Sequence, residues 1–188
     1  MRLEIRPMKL ITKRRKKLRG QNDMKKKKSP LVSVVMGSAS DLPIMKETTS
    51  ILDEFDIPYE IYLTSAHRSP ERTRSYSKDL EKKGIKVIIA GAGAAAHLAG
   101  VIASNTMLPV IGVPIDSTSL HGLDSLLSTV QMPGGIPVAT MAIGPAGAKN
   151  GALFAIRMLA LDDTTLHKKL QSYTKRMAKA IEEAQEKL

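Results

Sequence analysis

Leu31-Val32-Ser33-Val34-Val35-Met36-Gly37-Ser38-Ala39-Ser40-Asp41 decides how this chain is read. An apolar, β-branched run ends on a glycine and a cluster of short polar residues. A segment with Ile44, Ile51, Leu52 and Phe55 at helical spacing follows. The same order returns twice. The run at 59–63 leads into Ser65-Ala66-His67-Arg68-Ser69-Pro70, and the run at 87–90 leads into Gly91-Ala92-Gly93-Ala94-Ala95-Ala96-His97-Leu98. Strand, polar or Gly-rich loop, then helix, three times in succession, predicts a parallel sheet. In an open parallel sheet such loops gather at the carboxyl ends of the strands, beside the point where the strand order reverses. Three distant segments are therefore expected to meet in one cleft. They bring Ser38, Ser40, Asp41, His67, Arg68 and His97 there on Gly-rich backbone, a set suited to a small anionic molecule with a proton-transfer group beside it.

Outward from these motifs the alternation continues. Strands are expected at 31–36, 59–64, 86–90, 109–113 and 136–141. The second helix should start at Ser69 as N-cap with Pro70 as first helical residue, and stop at Gly84. The third should run to about 105, the fourth over 123–130 and the fifth over 146–161. Five parallel strands covered on both faces predict a flavodoxin-like three-layer α/β sandwich with sheet order 2-1-3-4-5. A last helix over 164–187 has no strand after it. Its apolar positions, Leu166, Leu170, Tyr173, Met177, Ala180 and Ala184, are spaced 4-3-4-3-4. Such a stripe suits packing on its own domain and docking on a neighbouring subunit equally. The chain thus divides into an extension (1–28), a flavodoxin-like domain (29–162) and a C-terminal helix (163–188).

The formal charge of +11 is local. Residues 1–28 hold 13 of the 29 Lys and Arg and only Glu4 and Asp23 as acids, so the remainder of the chain sums to zero. The extension lacks an aromatic residue to stack on bases, which argues against a nucleic-acid arm. Met24-Lys25-Lys26-Lys27-Lys28-Ser29-Pro30 reads as an ordinary start just ahead of the first strand. Arg19-Gly20 can be encoded by a purine run resembling a ribosome-binding site, so Met24 is the expected initiator and 1–23 an upstream mis-assignment. There is no cysteine, hence no disulfide, thiolate nucleophile or cysteine metal site. A cytoplasmic protein without membrane or nucleic-acid partners is expected.

Each motif also has a plain structural reading. Gly37 and Ser38 can present free N–H groups to a phosphate, and Asp41 can bind sugar hydroxyls, yet Ser40 or Asp41 alone would pass as a helix cap. Arg68 can grip a phosphate or carboxylate in a fork, and an imidazole at position 67 can move a proton near neutral pH. By itself, though, a His-Arg pair is common on surfaces. The stretch 91–100 has few large side chains, which means close backbone approach to something or tight helix–sheet packing. Histidines 67, 97, 121 and 167 show no metal-ligand spacing. A metal site is therefore not expected, and with a Walker loop, a GxGxxG fingerprint and a GxSxG elbow all missing, neither is NTP or NAD chemistry or a serine nucleophile elbow.

Taken together, VVMGSASD (34–41), SAHRSP (65–70), AGAGAAAHLAG (90–100), LPVIGVPIDS (108–117) and the long block DSLLSTVQMPGGIPVATMAIGPAGAKNGALFAIRML (124–159) resemble the class I 5-(carboxyamino)imidazole ribonucleotide mutases of purine biosynthesis. This family is also called the catalytic subunit of phosphoribosylaminoimidazole carboxylase. The resemblance spans about 31–170. It implies a cofactor-free isomerisation of N5-carboxyaminoimidazole ribonucleotide to the 4-carboxy isomer, carbon dioxide held in a closed pocket, and a homo-octamer. Carried over by motif, it implies that His67 is the acid–base. Ser38, Ser40, Asp41 and Arg68 would bind substrate, with Ser65, Gly93 and His97 also at the site. The loop 91–97 would wall the carbon dioxide pocket.

The chain departs from the family pattern at a few places. Ala94 stands where glycine is usual, Ala99 where proline is usual, Gly134 for arginine and Ser69 for threonine. Ala94 would tighten the pocket loop. The class II enzymes, which carboxylate aminoimidazole ribonucleotide directly, typically have lysine where this chain has Arg68. A non-enzymatic flavodoxin-like module would need aromatic residues to hold a flavin, and this chain has only two phenylalanines and four tyrosines.

Overall fold

The structure, a computed structural model, describes residues 29–188. The basic extension and the Met24 start lie outside the described residues. Five strands, β1 (Val32–Met36), β2 (Tyr59–Leu63), β3 (Val87–Gly93), β4 (Val110–Ile115) and β5 (Ala139–Thr140), form one sheet in the expected order β2-β1-β3-β4-β5. Every pairing is parallel. Val34 lies opposite Ile61 on one side and Ile89 on the other, so the middle of the sheet is β-branched on adjacent strands.

Alternation along the strands feeds two cores. Val32, Val34, Ile89, Ile111 and Val113 face the helices α1 (Leu42–Glu54) and α5 (Pro145–Leu159). Val35, Ile88 and Ala90 face α2 (Pro70–Asp79) and α3 (Leu98–Ala103). On that second face α4 (Leu123–Val130) packs close over β4, because a side chain at Gly112 would overlap Thr129. α1 and α5 also approach closely. Ala148, Ala152 and Ala155 are wholly buried, and the Thr48 hydroxyl donates to the Ala148 carbonyl at 2.9 Å.

Several boundaries differ from expectation for physical reasons. β3 continues three residues past Ala90, because Gly91, Ala92 and Gly93 pair with β4 through Ile115, and their small side chains leave room for Met45 and Ser117. β5 shrinks from six expected residues to two. Pro137 has no N–H for a ladder, and Val138 turns into the second core. α2 ends at Asp79, and turns continue to Gly84, whose φ of +86° closes the segment. Helix α3 stops at Ala103 rather than near 105.

The last helix, α6 (Thr164–Gln185), is capped by Asp163, whose Oδ1 accepts from the N–H groups of Thr165 and Leu166, each at 2.9 Å. Its stripe is split in use. Leu166 is buried, and Leu170 and Tyr173 pack on the first core, Tyr173 with its ring 5.5 Å from Phe55. Beyond them Met177 and Ile181 are 47% and 74% exposed. Ion pairs Lys169–Asp56 and Arg176–Glu54 hold the docked half to the domain. Among the described residues, no helix is long and apolar enough to cross a membrane.

Candidate active site

The loop after β1 folds on itself. Gly37 donates its N–H to the Gly91 carbonyl at 3.3 Å, which ties the loop to β3. Ser38 then caps a single 3-10 turn, Ala39–Asp41. Its hydroxyl oxygen accepts from the Ser40 N–H at 3.3 Å and the Ser40 hydroxyl at 2.8 Å, while its own N–H donates to Asp41 Oδ2 at 2.9 Å. This reciprocal box fixes the loop. The residues that cap are Ser38 and Asp41, and Asp41 is only 4% exposed. Burial pushes its carboxyl above the usual range, against the pull of the Ser38 and Gly37 N–H groups, the Ser40 hydroxyl and the Arg68 charge.

The loop after β2 is built from hydroxyls. Thr64 Oγ1 lies 2.8 Å from Thr73 Oγ1 and 3.2 Å from Ser69 Oγ. Ser69 occupies the expected N-cap position of α2, but its side chain does not cap the helix. It accepts from the Ser65 N–H at 3.0 Å and donates to the Ser65 carbonyl at 3.1 Å, closing the turn on itself. The Ser65 hydroxyl accepts from the Arg68 N–H at 3.2 Å. The turn throws Arg68 back over the first loop, where Nη2 donates to the Gly37 carbonyl at 3.3 Å.

The third loop is nearly bare of side chains. Ala94 has φ +52°, a left-handed backbone that costs a residue with a Cβ about 1–2 kcal/mol. It is the position where the resembled family usually has glycine, so the departure shows as backbone strain. The turn that Ala94 makes delivers His97 to the start of α3. There His97 Nδ1 lies 2.8 Å from His67 Nε2, with the rings edge-to-face at 84°. A bond between two ring nitrogens needs one N–H and one lone pair. The pair therefore holds at most one extra proton while the bond is made.

A cavity of about 310 Å³ opens where the loops converge. Ser38, Ser40 and Asp41 line it from the first loop, and Ser65, His67 and Arg68 from the second. Gly93 lines it from the third, and His97 stands at its border through the bond to His67. All eight residues singled out from the sequence are thus brought together. Ser117 also lines the cavity, although no motif in the sequence marks it. It follows the carboxyl end of β4, so the rule that located the other loops applied to it as well. Among the described residues no group of three or more His, Cys, Asp or Glu side chains is gathered to hold a metal ion.

Known proteins match this chain over nearly all of the described part. A protein from Pyrococcus horikoshii named N5-carboxyaminoimidazole ribonucleotide mutase is 58% identical, over 87% of this chain and 91% of its own. A Bacillus subtilis protein of the same name is 50% identical, over 85% of this chain and 98% of its own. The crystal structure of Treponema denticola PurE superposes with a TM-score of 0.77 at 34% identity, covering 85% of this chain and 98% of that one. A family model described as AIR carboxylase matches residues 31–180, from the entry into β1 well into α6. Since that match takes in every strand and every loop of the cavity, this chain belongs to the AIR carboxylase family.

Proposed function

We propose that this chain is an enzyme of purine biosynthesis, an isomerase that converts N5-carboxyaminoimidazole ribonucleotide to 4-carboxy-5-aminoimidazole ribonucleotide. The observation that carries the residue-level reading is the His67–His97 contact beside Arg68 in one cavity. The reaction moves a carboxylate from N5 to C4 and a proton from C4 to N5, so nothing is consumed. As the N–C bond breaks, carbon dioxide forms and N5 needs a proton. When C4 recaptures the carbon dioxide, a proton must leave C4. One imidazole cycling between its two states serves both steps. In this reading His67 is that imidazole, and His97 accepts or returns the shared proton and faces the carboxylate. Arg68, Ser38 and Ser40 hold the phosphate, and Asp41 the ribose. Ser65 and the Gly93 backbone complete the walls of a cofactor-free, metal-free site.

The test is an assay of N5-carboxyaminoimidazole ribonucleotide and of aminoimidazole ribonucleotide, each with and without bicarbonate. Conversion of the first without bicarbonate supports the mutase. Turnover of the second alone, dependent on bicarbonate, would replace it with direct carboxylation.

Arg68→Ala should raise KM roughly 10- to 100-fold, since a charge-assisted pair contributes about 1.5–3 kcal/mol. An unchanged KM would mean that Arg68 serves only its bond to Gly37.

The enzyme is further proposed to act in the cytoplasm as a homo-octamer. The number eight comes from the resemblance set out above. What supports assembly physically is the apolar surface left on α6 and on α4, where Leu123, Leu127 and Val130 are each about half exposed. Met177→Glu with Ile181→Glu should lower the light-scattering mass and the turnover together. A charge at Leu170 would not test this, because Leu170 packs on its own core. A fully active wild-type protein with the mass of one chain would defeat the proposal.

A further inference from the structure

The strand order sets four loops side by side along the carboxyl edge of the sheet: 64–69, 37–41, 94–97 and 116–122. The first two supply all the charge and most of the hydroxyls of the cavity. On the other half the lining residues are Ala92, Gly93, Ala95, Leu98 and Ser117. Ser117 is the only one of these with a polar side chain. It leans across the end of β3, since a Cβ at Gly93 would overlap its Oγ and come within 2.7 Å of its Cβ. Among the described residues its hydroxyl has no hydrogen-bond partner.

The loop that bears Ser117 is fixed at both ends. Thr118 donates to Asp124 Oδ2 at 2.7 Å and accepts from the Leu120 N–H at 3.1 Å. The Ser125 hydroxyl, wholly buried, reaches the Ile115 carbonyl at 3.0 Å and the Gly122 carbonyl at 2.8 Å. Gly122 has φ +83°, and a side chain there would strike Ile143, so this turn admits no other residue cheaply. The backbone that carries Ser117 is thus held in place before any ligand arrives, so little beyond the hydroxyl rotor is ordered when one binds.

From this placement we infer that Ser117 contacts the substrate, donating its hydroxyl proton to an oxygen of the migrating carboxylate. The inference rests on the mutase reading above. The anionic phosphate finds its partners on the Arg68 side, and the histidine pair reaches from the second loop to the third. The reacting end of the substrate then falls toward the Gly93 side. There a carboxylate leaving as carbon dioxide meets backbone, methyl groups, the Ser117 hydroxyl and, at the border, the ring of His97. Ser117 keeps the freed molecule over the ring until C4 takes it up.

Steady-state kinetics of Ser117→Ala with N5-carboxyaminoimidazole ribonucleotide test this, together with the fraction of turnovers that release aminoimidazole ribonucleotide and free carbon dioxide. We expect kcat to fall roughly 10- to 100-fold while KM stays within about twofold, the pattern of a contact that matters most in the transition state. The released fraction should rise and the unfolding midpoint should not move, because the hydroxyl supports nothing in the protein. Wild-type kcat and release in the variant would overturn the inference. So would a raised KM with kcat unchanged, which would put Ser117 on the ribose phosphate. A wild-type enzyme that fails to isomerise the substrate would instead remove the mutase reading itself.

Discussion

Replacing His67 by asparagine is expected to lower kcat by about 10²- to 10⁴-fold, the range that a positioned acid–base group contributes. The fold should be untouched. His67 is exposed on a loop closed by Ser65, Ser69 and Thr73, and none of those bonds uses its ring. Asparagine can still offer a hydrogen bond toward His97, but an amide takes no proton from carbon at neutral pH. Binding should therefore survive, with KM changing far less than kcat. Circular dichroism and unfolding midpoints would confirm the intact fold, and single-turnover measurements would isolate the chemical step. A variant with near wild-type turnover would sink the assignment of His67 as the proton carrier. The role would then fall to His97, the other imidazole at the site.

The second large effect is on stability. Gly147 lies in the first turn of α5, where a Cβ would overlap the Ala142 carbonyl oxygen and sit 2.7 Å from its carbon. Both obstacles are backbone, so no side chain can swing away. Gly147→Ala should destabilise by about 2–3 kcal/mol even after the gain in helix propensity. For a domain of this size that lowers the midpoint by roughly 4–12 °C. Gly151, one turn on, is the control. A Cβ there meets Ile111 and Val113 methyls at 3.4 Å, ordinary contact, so Gly151→Ala should be neutral or mildly stabilising. Equal midpoints for the two variants would show that α5 can shift off the 142 segment.

The contrast between these glycines also shows what could be read from sequence and what could not. The strands and their order were legible because each apolar run is short and ends in a turn, and the five alternate with helical patterns. The cleft was legible because its residues sit at strand ends in three dense motifs. The extent of β3 was not, since glycines usually end a strand, and here they continue one because β4 and Met45 need the space. Ser117 is not legible, because a serine in 116–122 carries no pattern of its own. Its meaning comes from Gly93, which is distant in sequence and adjacent in the sheet. The 4-3 stripe on α6 described one face correctly without dividing it, and only the packing shows that the face turns from core to surface after Tyr173. Asp41 was legible as a ligand or a cap, and it caps while lining the cavity.

The close seat of α1 on α5 has a consequence for how the protein is born. The loop 37–41 hangs between β1 and α1, and α1 buries Met45, Thr48 and Leu52 in a core whose other wall is α5. The Thr48–Ala148 bond spans 100 residues of chain. A nascent chain that has emerged as far as His97 thus owns every residue of the three motifs, and α1 then has β1 and β3 to lie on but not α5. The Thr48–Ala148 bond and the seat of α1 on α5 form only after α5 has left the ribosome, since a contact this distant in sequence cannot form sooner. The last support of the helix that follows the first loop therefore arrives late in synthesis, from a helix that contributes no residue to the cavity.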